Sequence, residues 1–198
     1  GVRHGGVLSP FLFKLYIDDI LNELVKLDVG CKFGLSRVNA IAYADDIILL
    51  SPCLSHLQTM LSHCEDFGRK NGIKFCHSTT KTKTQFIISG VSGIINPSLT
   101  LNNLPVRPQN ELTHLGFCWN VKRNKISLTA HRDHRIAELW STTTSLISAG
   151  IRHCHPKSIV TIFNSIIIPK PLYGLELCDL AKTDLNQLNV TARSCIKY

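Results

Sequence analysis

Apolar residues recur at helical spacing in two stretches of the first part of the chain, residues 10–27 and 54–70. Ser9 followed by Pro10 is a favourable start for the first helix, because serine caps helices and proline suits their first turn. From Arg132 onward the pattern is again helical, in three apolar stripes that predict a small bundle. Short β-prone runs lie between these helical parts, so the whole pattern predicts an α+β fold.

Two adjacent carboxylates, Asp45 and Asp46, lie between two β-prone runs, residues 38–42 and 47–50. This arrangement predicts a β-hairpin with both acids at its tip, on a sheet backed by the two helices. Adjacent like charges repel each other unless a cation lies beside them, and hard oxygen ligands on a turn suit Mg²⁺. The alternative is a solvated turn without a metal, because aspartate is common in turns.

A glycine-rich segment, residues 1–10, leads into the first helix. Gly5 and Gly6 would let the backbone approach a ligand closely, and the planar guanidinium of Arg3 suits phosphate. A glycine-rich loop before a helix is a weak signal by itself. It gains weight here because the two aspartates follow it at short distance.

Composition and charge narrow the class of protein. The 198 residues are 44% hydrophobic, which predicts a folded chain, and no signal peptide or apolar run of membrane-spanning length stands out. We therefore expect an intracellular protein, in the cytoplasm or nucleus, with no membrane partner and eight reduced cysteines that are mostly small core residues. A start at Gly1 with one methionine, Met60, predicts a piece of a larger protein.

The formal net charge of +8 is concentrated in residues 68–125. That segment holds nine lysines and arginines against one acid, Glu111, whereas the rest of the chain is balanced. Clustered cations of this kind favour binding to a phosphate backbone, and a merely solvated basic face is the alternative.

Four histidines and one cysteine of the last part invite a zinc interpretation. Their spacing matches no zinc motif and no second cysteine pair completes a tetrahedral site, so we expect no zinc. We expect instead that the histidines are surface residues near nucleic acid. These five residues are His131, His134, His153, Cys154 and His155.

Two motifs together resemble reverse transcriptases. Residues 1–10 resemble their Gly-x-x-Gln-Gly-x-x-x-Ser-Pro segment, and residues 43–46, Tyr-Ala-Asp-Asp, resemble their metal-binding Tyr-x-Asp-Asp box. The alanine in the box and the downstream pattern are most similar to the non-LTR, LINE-type retrotransposon branch. The resemblance implies a right-hand polymerase palm, an antiparallel sheet backed by helices, over residues 1–125, and a helical thumb over residues 126–198.

The resemblance also implies an activity. It would be RNA-directed DNA polymerisation, in which deoxynucleotides are added to a DNA primer on an RNA template by two-metal transfer. Mg²⁺, or Mn²⁺, would be the cofactor, and the rest of the retrotransposon polyprotein would be a partner. Two alternatives remain: a non-catalytic nucleic-acid-binding module, and an unrelated Asp-Asp phosphotransferase that would leave the thumb-like tail unexplained.

The resemblance assigns roles to individual residues. Asp45 and Asp46 would be catalytic metal ligands, and the nucleotide and template would contact Arg3, His4, Gly5, Gly6 and Tyr43. A lysine before the strand-like residues 86–88 would steady the departing pyrophosphate; Lys83 fits this role better than Lys81. Leu115 and Gly116 would form the primer grip, although an ordinary hairpin glycine is the alternative. Contacts to the nucleic-acid backbone would come from Lys81, Arg123 and Lys125.

This chain departs from the family pattern at two positions. His4 stands where the family has glutamine, and Cys76 stands where it has asparagine before the lysine turn. A third metal-binding aspartate lies, in the family, on a strand that would precede Gly1. We therefore expect the chain by itself to be inactive.

Overall fold

A computed structural model describes residues 5–76, 83–90 and 97–197 of the chain. Its helices alternate with small antiparallel sheets, which confirms the α+β class. The chain forms two compact units. The first unit comprises Gly1–Phe86 and Gly93–Gln109, and the second comprises Ile87–Ser92 and Asn110–Tyr198. The units divide after Gln109, and the expected palm and thumb on either side of residue 125 stay a prediction.

Two long helices of the first unit confirm the helical periodicity. Helix α1 is Ser9–Lys26 and helix α2 is Leu54–Asn71. Ser9 is the first helical residue and Leu8 is the cap residue, so the expected serine cap is wrong by one position. Helix α2 ends as predicted at Gly72, whose φ of 71° is left-handed and costs glycine little.

The strands of the first unit form three separate antiparallel hairpins. The hairpin that carries the two aspartates joins β3 (Ala40–Tyr43) to β4 (Asp46–Leu49), as predicted. The other two hairpins join β1 (Cys31–Phe33) to β2 (Ser36–Val38) and β5 (Leu99–Leu101) to β6 (Leu104–Val106).

One core cluster binds both helices to the β3–β4 hairpin. Buried residues of α1 pack against buried residues of α2, and strand residues cover them: Ile17, Ile20, Leu24, Met60, Cys64, Phe67, Ala40, Ile47 and Leu49. Each fully buried side chain of this size stabilises the fold by about 1.5–3 kcal/mol. Burial also raises the pKa of the Cys64 thiol to about 12, which makes that thiol unreactive. The hairpin therefore stands on helices α1 and α2, as the sequence predicted.

The resemblance also implies short strands at residues 73–75 and 86–88, and both expectations are wrong. Residues 73–76 are irregular, and residues 86–88 form no strand; Phe86 makes a single bridge to Pro108. A strand needs a neighbour to pair with, and in the described residues no such ladder reaches these β-prone side chains. Phe86 is nevertheless buried, so its apolar character serves packing rather than pairing.

The second unit packs helices on a three-stranded antiparallel sheet. Its strands are β7 (Glu111–His114), β8 (Phe117–Lys122) and β9 (Lys125–Ser127). Its helices are α3 (Thr129–Ser148), α4 (Pro156–Ile162), α5 (Pro169–Leu172) and α6 (Lys182–Lys197). Leu139 and Ile167 form the centre of the helical core. Arg132 on α3 holds Asp184 on α6 at 3.1 Å, which adds an ion pair to this packing.

The stretch from Pro156 to Leu177 departs from the expectation that no apolar run has the length of a membrane span. Its 22 residues form a helical stretch that is long and apolar enough, by length and composition, to cross a membrane. A core helix passes the same test, so one such stretch is weak support for a membrane span. Helix α4, a π-helical turn (Phe163–Ile167) and α5 follow one another here, and Gly174, with a φ of 76°, precedes a last short turn, Leu175–Leu177.

The cysteines are less buried than expected. Cys64 is the one fully buried cysteine among the described residues, and Cys31, Cys118 and Cys178 are half-buried. The exposed cysteines are Cys53, Cys76 and Cys154. The apolar stripes of the sequence therefore overestimated the number of core thiols.

Candidate functional site

The two aspartates lie at a tight turn of the β3–β4 hairpin. Tyr43 pairs with Asp46, so the loop consists of Ala44 and Asp45. Ala44 has a φ of 51°, the positive value that the first central residue of a primed hairpin turn requires. The turn therefore projects two consecutive carboxylates from a hairpin that stands on the α1–α2 core.

No basic side chain of the described residues neutralises the negative charge of the two carboxylates at this turn. Asp45 and Asp46 are both exposed, and within the described residues no lysine, arginine or histidine pairs with either carboxylate. Two accessible carboxylates on a fixed turn fit the oxygen ligands that Mg²⁺ or Mn²⁺ takes. No cluster of three or more metal-ligating side chains occurs in the described part of the chain, so these two acids form an incomplete ligand set.

The glycine-rich segment is described from Gly5 onward; Arg3 and His4 lie outside the described residues. Gly5 has a φ of 77° and open space around the position of a Cβ. The carbonyl of Gly6 accepts a hydrogen bond of 3.1 Å from the amide of Ser9, and this bond fixes the entry into α1. Tyr43, the other expected nucleotide contact, is 66% exposed. The nucleotide- and template-binding roles of Arg3, His4, Gly5, Gly6 and Tyr43 stay predictions.

Lys83 is exposed and follows directly on residues 77–82, which include Lys81 and lie outside the described part. The hydroxyl of the neighbouring Thr84 donates a hydrogen bond of 2.9 Å to the carbonyl of Cys76. This bond holds Thr84 beside Cys76. Among the described residues, no hydrogen bond or ion pair joins Lys83 to the aspartate turn, so its catalytic role stays a prediction.

Leu115 and Gly116 form the two-residue turn between β7 and β8. Both have positive φ, 50° and 78°, as a type I′ turn requires. A bulky leucine in this left-handed region costs about 1–2 kcal/mol. Something must therefore hold the turn in place.

Two side chains from the helical part hold this turn by its carbonyls. The Tyr173 hydroxyl donates a hydrogen bond of 2.9 Å to the carbonyl of Leu115. The Arg135 guanidinium donates one of 3.0 Å to the carbonyl of Gly116. Arg135 also lies over the Tyr173 ring, 5.2 Å from its centre. The sequence analysis missed both residues, because nothing in their local sequence links them to the turn.

Glu138 fixes the guanidinium of Arg135 from the other side. Its carboxylate accepts a bond of 2.5 Å from Arg135 and lies 3.2 Å from the Lys170 ammonium. Partial burial opposes ionisation of Glu138, but the bonds to the two cations outweigh it and lower the pKa of this carboxyl below its ordinary value. Glu138 thus remains charged and keeps Arg135 oriented toward the turn.

His131 is fully buried, so the expectation of a surface histidine is wrong at this position. Its ring stacks on Phe117 with the centres 5.0 Å apart. The amide of Cys118 donates a hydrogen bond of 3.4 Å to Nδ1, and Nε2 lies 3.0 Å from the Tyr173 carbonyl. His131 therefore ties the backbone at Tyr173 to strand β8.

Gly174 fills the remaining space in this cluster. A Cβ at Gly174 would lie 2.8 Å from Nε2 of His131 and would overlap the Phe117 ring. Glycine is required here both by this close approach and by its positive φ. A glycine directly after a tyrosine, just beyond two prolines, was the one local signal of a tight turn at this place.

The turn between β8 and β9 carries a cluster of cations. Lys122 pairs with Lys125, and Arg123 lies in the two-residue loop between them. The carbonyl of Asn124 accepts bonds from the Gly90 amide at 2.8 Å and the Ser89 hydroxyl at 3.0 Å, which support the loop. All three cations are exposed and have no acidic partner in the described residues. They are free to meet a phosphate backbone, the role predicted for Arg123 and Lys125.

Comparisons with known proteins agree with the motifs. The family model of reverse transcriptase (RNA-dependent DNA polymerase) matches residues 1–119. The Pol polyprotein of the type-1 retrotransposable element R2 from Popillia japonica is 24% identical over 205 aligned residues; the match spans the whole chain and 27% of that polyprotein. The polyprotein of the type-2 element R2DM from Drosophila melanogaster is 39% identical over 74 residues, 37% of the chain and 7% of its own length.

The chain thus spans about a quarter of the length of the first of these relatives. The family match covers more than half of the chain and includes the glycine-rich segment and the aspartate hairpin. The relatives are Pol polyproteins of R2 elements, which are non-LTR retrotransposons. The predicted family is confirmed: the chain belongs to the reverse transcriptases, in their LINE-type branch.

Proposed function

We propose that this chain contributes to an RNA-directed DNA polymerase in which Asp45 and Asp46 bind divalent metal. The observation that carries the proposal is the exposed, cation-free pair of carboxylates on a rigid hairpin turn of a chain in this family. Bound Mg²⁺ or Mn²⁺ would supply charge stabilisation for the primer hydroxyl and the leaving phosphates. The protein contributes position and electrostatics, since phosphoryl transfer needs little covalent chemistry from it.

The remaining predicted residues complete this proposal. Arg3, His4, Gly5, Gly6 and Tyr43 would contact the nucleotide and template. Lys83 would steady the departing pyrophosphate, with Lys81 as the alternative. The Leu115–Gly116 turn would hold the primer end, and the exposed cations Arg123 and Lys125 would bind the nucleic-acid backbone by charge.

The carboxylate count leads to a second part of the proposal. Asp45 and Asp46 bring two negative charges to a site that would hold two divalent ions and a triphosphate. A further carboxylate is needed to share the metals, and none gathers with these two in the described part of the chain. We therefore expect the 198-residue chain by itself to bind metal weakly and to leave a primer unextended.

Mn²⁺ titration tests the metal site without requiring catalysis. Paramagnetic Mn²⁺ should broaden the backbone NMR signals of Ala44, Asp45 and Asp46 in the chain, and Asp45→Asn should remove most of that broadening. Asp19→Asn is the matched control, because Asp19 is an exposed aspartate on α1. Equal broadening in the parent and in Asp45→Asn would refute the metal role.

Primer extension tests the activity. The natural protein that carries this chain should extend a DNA primer on an RNA template with Mg²⁺, and its Asp45→Asn variant should lose at least about a hundredfold in rate, the scale of a lost electrostatic contact. Extension by the 198-residue chain alone would refute the need for a further carboxylate. Tight hybrid binding with no extension by the natural protein would favour the non-catalytic binding module.

A further inference from the structure

We infer that Tyr173 and Arg135 are positioning residues, which hold the Leu115–Gly116 turn in the shape that receives a primer end. This inference rests on the proposed function of the turn and extends it to residues outside every recognised motif. Both side chains act through the turn, and neither needs to touch the nucleic acid.

The Leu115–Gly116 turn is costly to maintain. Leu115 holds a φ of 50°, a left-handed conformation that is sterically unfavourable for a bulky side chain. Without outside support the turn would sample other conformations, because a leucine gains by leaving the left-handed region. Two side chains from the helical part of the same unit supply that support.

Both carbonyls of the turn accept a hydrogen bond from a side chain. Tyr173 bonds the Leu115 carbonyl at 2.9 Å and Arg135 bonds the Gly116 carbonyl at 3.0 Å. The backbone donors that the turn can offer to a ligand are its amide N–H groups. Amides donate to phosphate and sugar oxygens, which is the chemistry of a nucleic-acid end.

Tyr173 and Arg135 are themselves held in place before any ligand binds. Glu138 holds Arg135 at 2.5 Å, and His131 contacts the Tyr173 carbonyl at 3.0 Å. The side chain of Arg135 is 11% exposed and that of Glu138 is 15% exposed, so little rotamer freedom remains. A turn held in this way is pre-organised, which spares the complex the entropy of ordering it.

The experiment uses the 198-residue chain and an RNA–DNA hybrid whose DNA strand ends in a 3′-terminal nucleotide with a photoreactive base. Tyr173→Phe removes one hydrogen bond and keeps the ring. Tyr16→Phe is the matched control, because the Tyr16 hydroxyl also bonds a backbone carbonyl, that of Asn71, far from the turn in sequence. Three quantities are measured: hydrogen exchange of the His114 and Phe117 amides, which belong to the residue pair that closes the turn, hybrid affinity, and the cross-linking yield at the turn.

We expect the parent chain and Tyr16→Phe to give the same cross-linking yield at the turn. Tyr173→Phe should speed amide exchange at the turn and lower the yield about fivefold, the effect of one net hydrogen bond, with hybrid affinity changed less than about twofold. Arg135→Met, which keeps the length of the side chain, should act in the same direction. A merely structural role would lower affinity and cross-linking together.

Each opposing result has a distinct meaning. No cross-link at the turn in the parent chain would refute the primer grip itself, and with it the inference. A cross-link in the parent that persists at full yield in Tyr173→Phe and in Arg135→Met would leave the primer grip standing and overturn the positioning role. Unchanged amide exchange in both variants would show that these side chains do not hold the turn.

Discussion

The Tyr173 hydroxyl reaches the Leu115 carbonyl across 58 positions of sequence. The bond joins the end of the apolar helical path to the turn of the three-stranded sheet, so it lies within the second unit. It explains in part why the long segment of that unit starts at Asn110, ahead of the sheet, and not at the first helix after the sheet. The hairpin and the helices share one cluster, formed by Phe117, His131 and Tyr173.

Gly174→Ala should destabilise this cluster more than any glycine substitution elsewhere in the second unit. The new methyl group would overlap Phe117 and lie 2.8 Å from Nε2 of His131, and φ is 76°. Strain of about 1–2 kcal/mol and overpacking of about 1–3 kcal/mol add to an expected loss of about 2–5 kcal/mol. Urea unfolding of the chain measures the loss.

Gly150→Ala is the control for that prediction. Gly150 also has a left-handed φ, 90°, but the nearest atom to its Cβ position is 3.9 Å away, in the His153 ring. This variant should therefore lose only the conformational part, about 1–2 kcal/mol. Equal losses at the two positions would mean that the close packing around Gly174 contributes nothing.

Glu138→Gln should lower stability in a pH-dependent way. The pKa of Glu138 in the folded chain lies below its ordinary value of 4.5, so the charged carboxylate contributes stability above that pH. The contribution is lost as the pH falls through the lower, folded pKa. We expect a loss of about 1–3 kcal/mol at pH 7, measured by urea unfolding, which shrinks toward zero in acid.

Glu23→Gln serves as the control for the pH dependence. Glu23 is exposed on α1 and has no ion pair in the described part of the chain. Its substitution should change the free energy of unfolding by less than about 0.5 kcal/mol at either pH. A loss for Glu138→Gln that stays constant down to acid pH would show that charge is not what Glu138 contributes.

The two helices of the first unit and the aspartate hairpin could be predicted, because patterns within a short stretch of sequence determine them. The helical periodicity of residues 10–27 and 54–70 and the two runs around Asp45 were sufficient to predict the helices and the hairpin. The strand expected at residues 86–88 failed because pairing depends on a distant neighbour, which β-propensity does not reveal.

The two side-chain contacts that hold the Leu115–Gly116 turn could not be predicted from the sequence for the same reason. Arg135 lies 19 positions and Tyr173 58 positions from the carbonyls they bind. His131 stands among charged residues and so suggested a surface position, but its ring is buried because Phe117 stacks on it. The support of the turn and the burial of His131 both depend on contacts between residues far apart in the chain, and a single sequence does not reveal such contacts.

Ala44→Gly should stabilise the aspartate hairpin. Ala44 has a φ of 51°, where an L-residue is strained by about 1–2 kcal/mol and glycine is not. The larger entropy of glycine in the unfolded chain offsets about 0.5–1 kcal/mol, which leaves a net gain of up to about 1.5 kcal/mol. Ala42→Gly, in strand β3, should have the opposite sign. Urea unfolding distinguishes the two, and a loss in both would contradict the strain at Ala44.

Salt dependence should locate the nucleic-acid contact at the β8–β9 turn. Replacing Lys122, Arg123 and Lys125 together by alanine should weaken binding to an RNA–DNA hybrid and reduce its dependence on salt. Each phosphate contact on a duplex adds about −0.9 to the slope of log affinity against log salt concentration, so loss of two or three contacts should make the slope shallower by about 2–3. Affinities measured between about 50 and 300 mM salt give the slope.

A second triple variant separates local contact from net charge. Lys14, Lys26 and Lys32 are exposed cations of the first unit, and their replacement by alanine removes the same three charges. Charges that do not meet phosphate release no counterions, so this control should keep the slope of the parent while losing some affinity through the weaker overall field. If the salt slope becomes shallower by the same amount in both variants, binding follows the net charge of the chain and the β8–β9 turn makes no specific contact with the nucleic acid. If only the β8–β9 variant shows this change, its three cations lie on the nucleic-acid backbone.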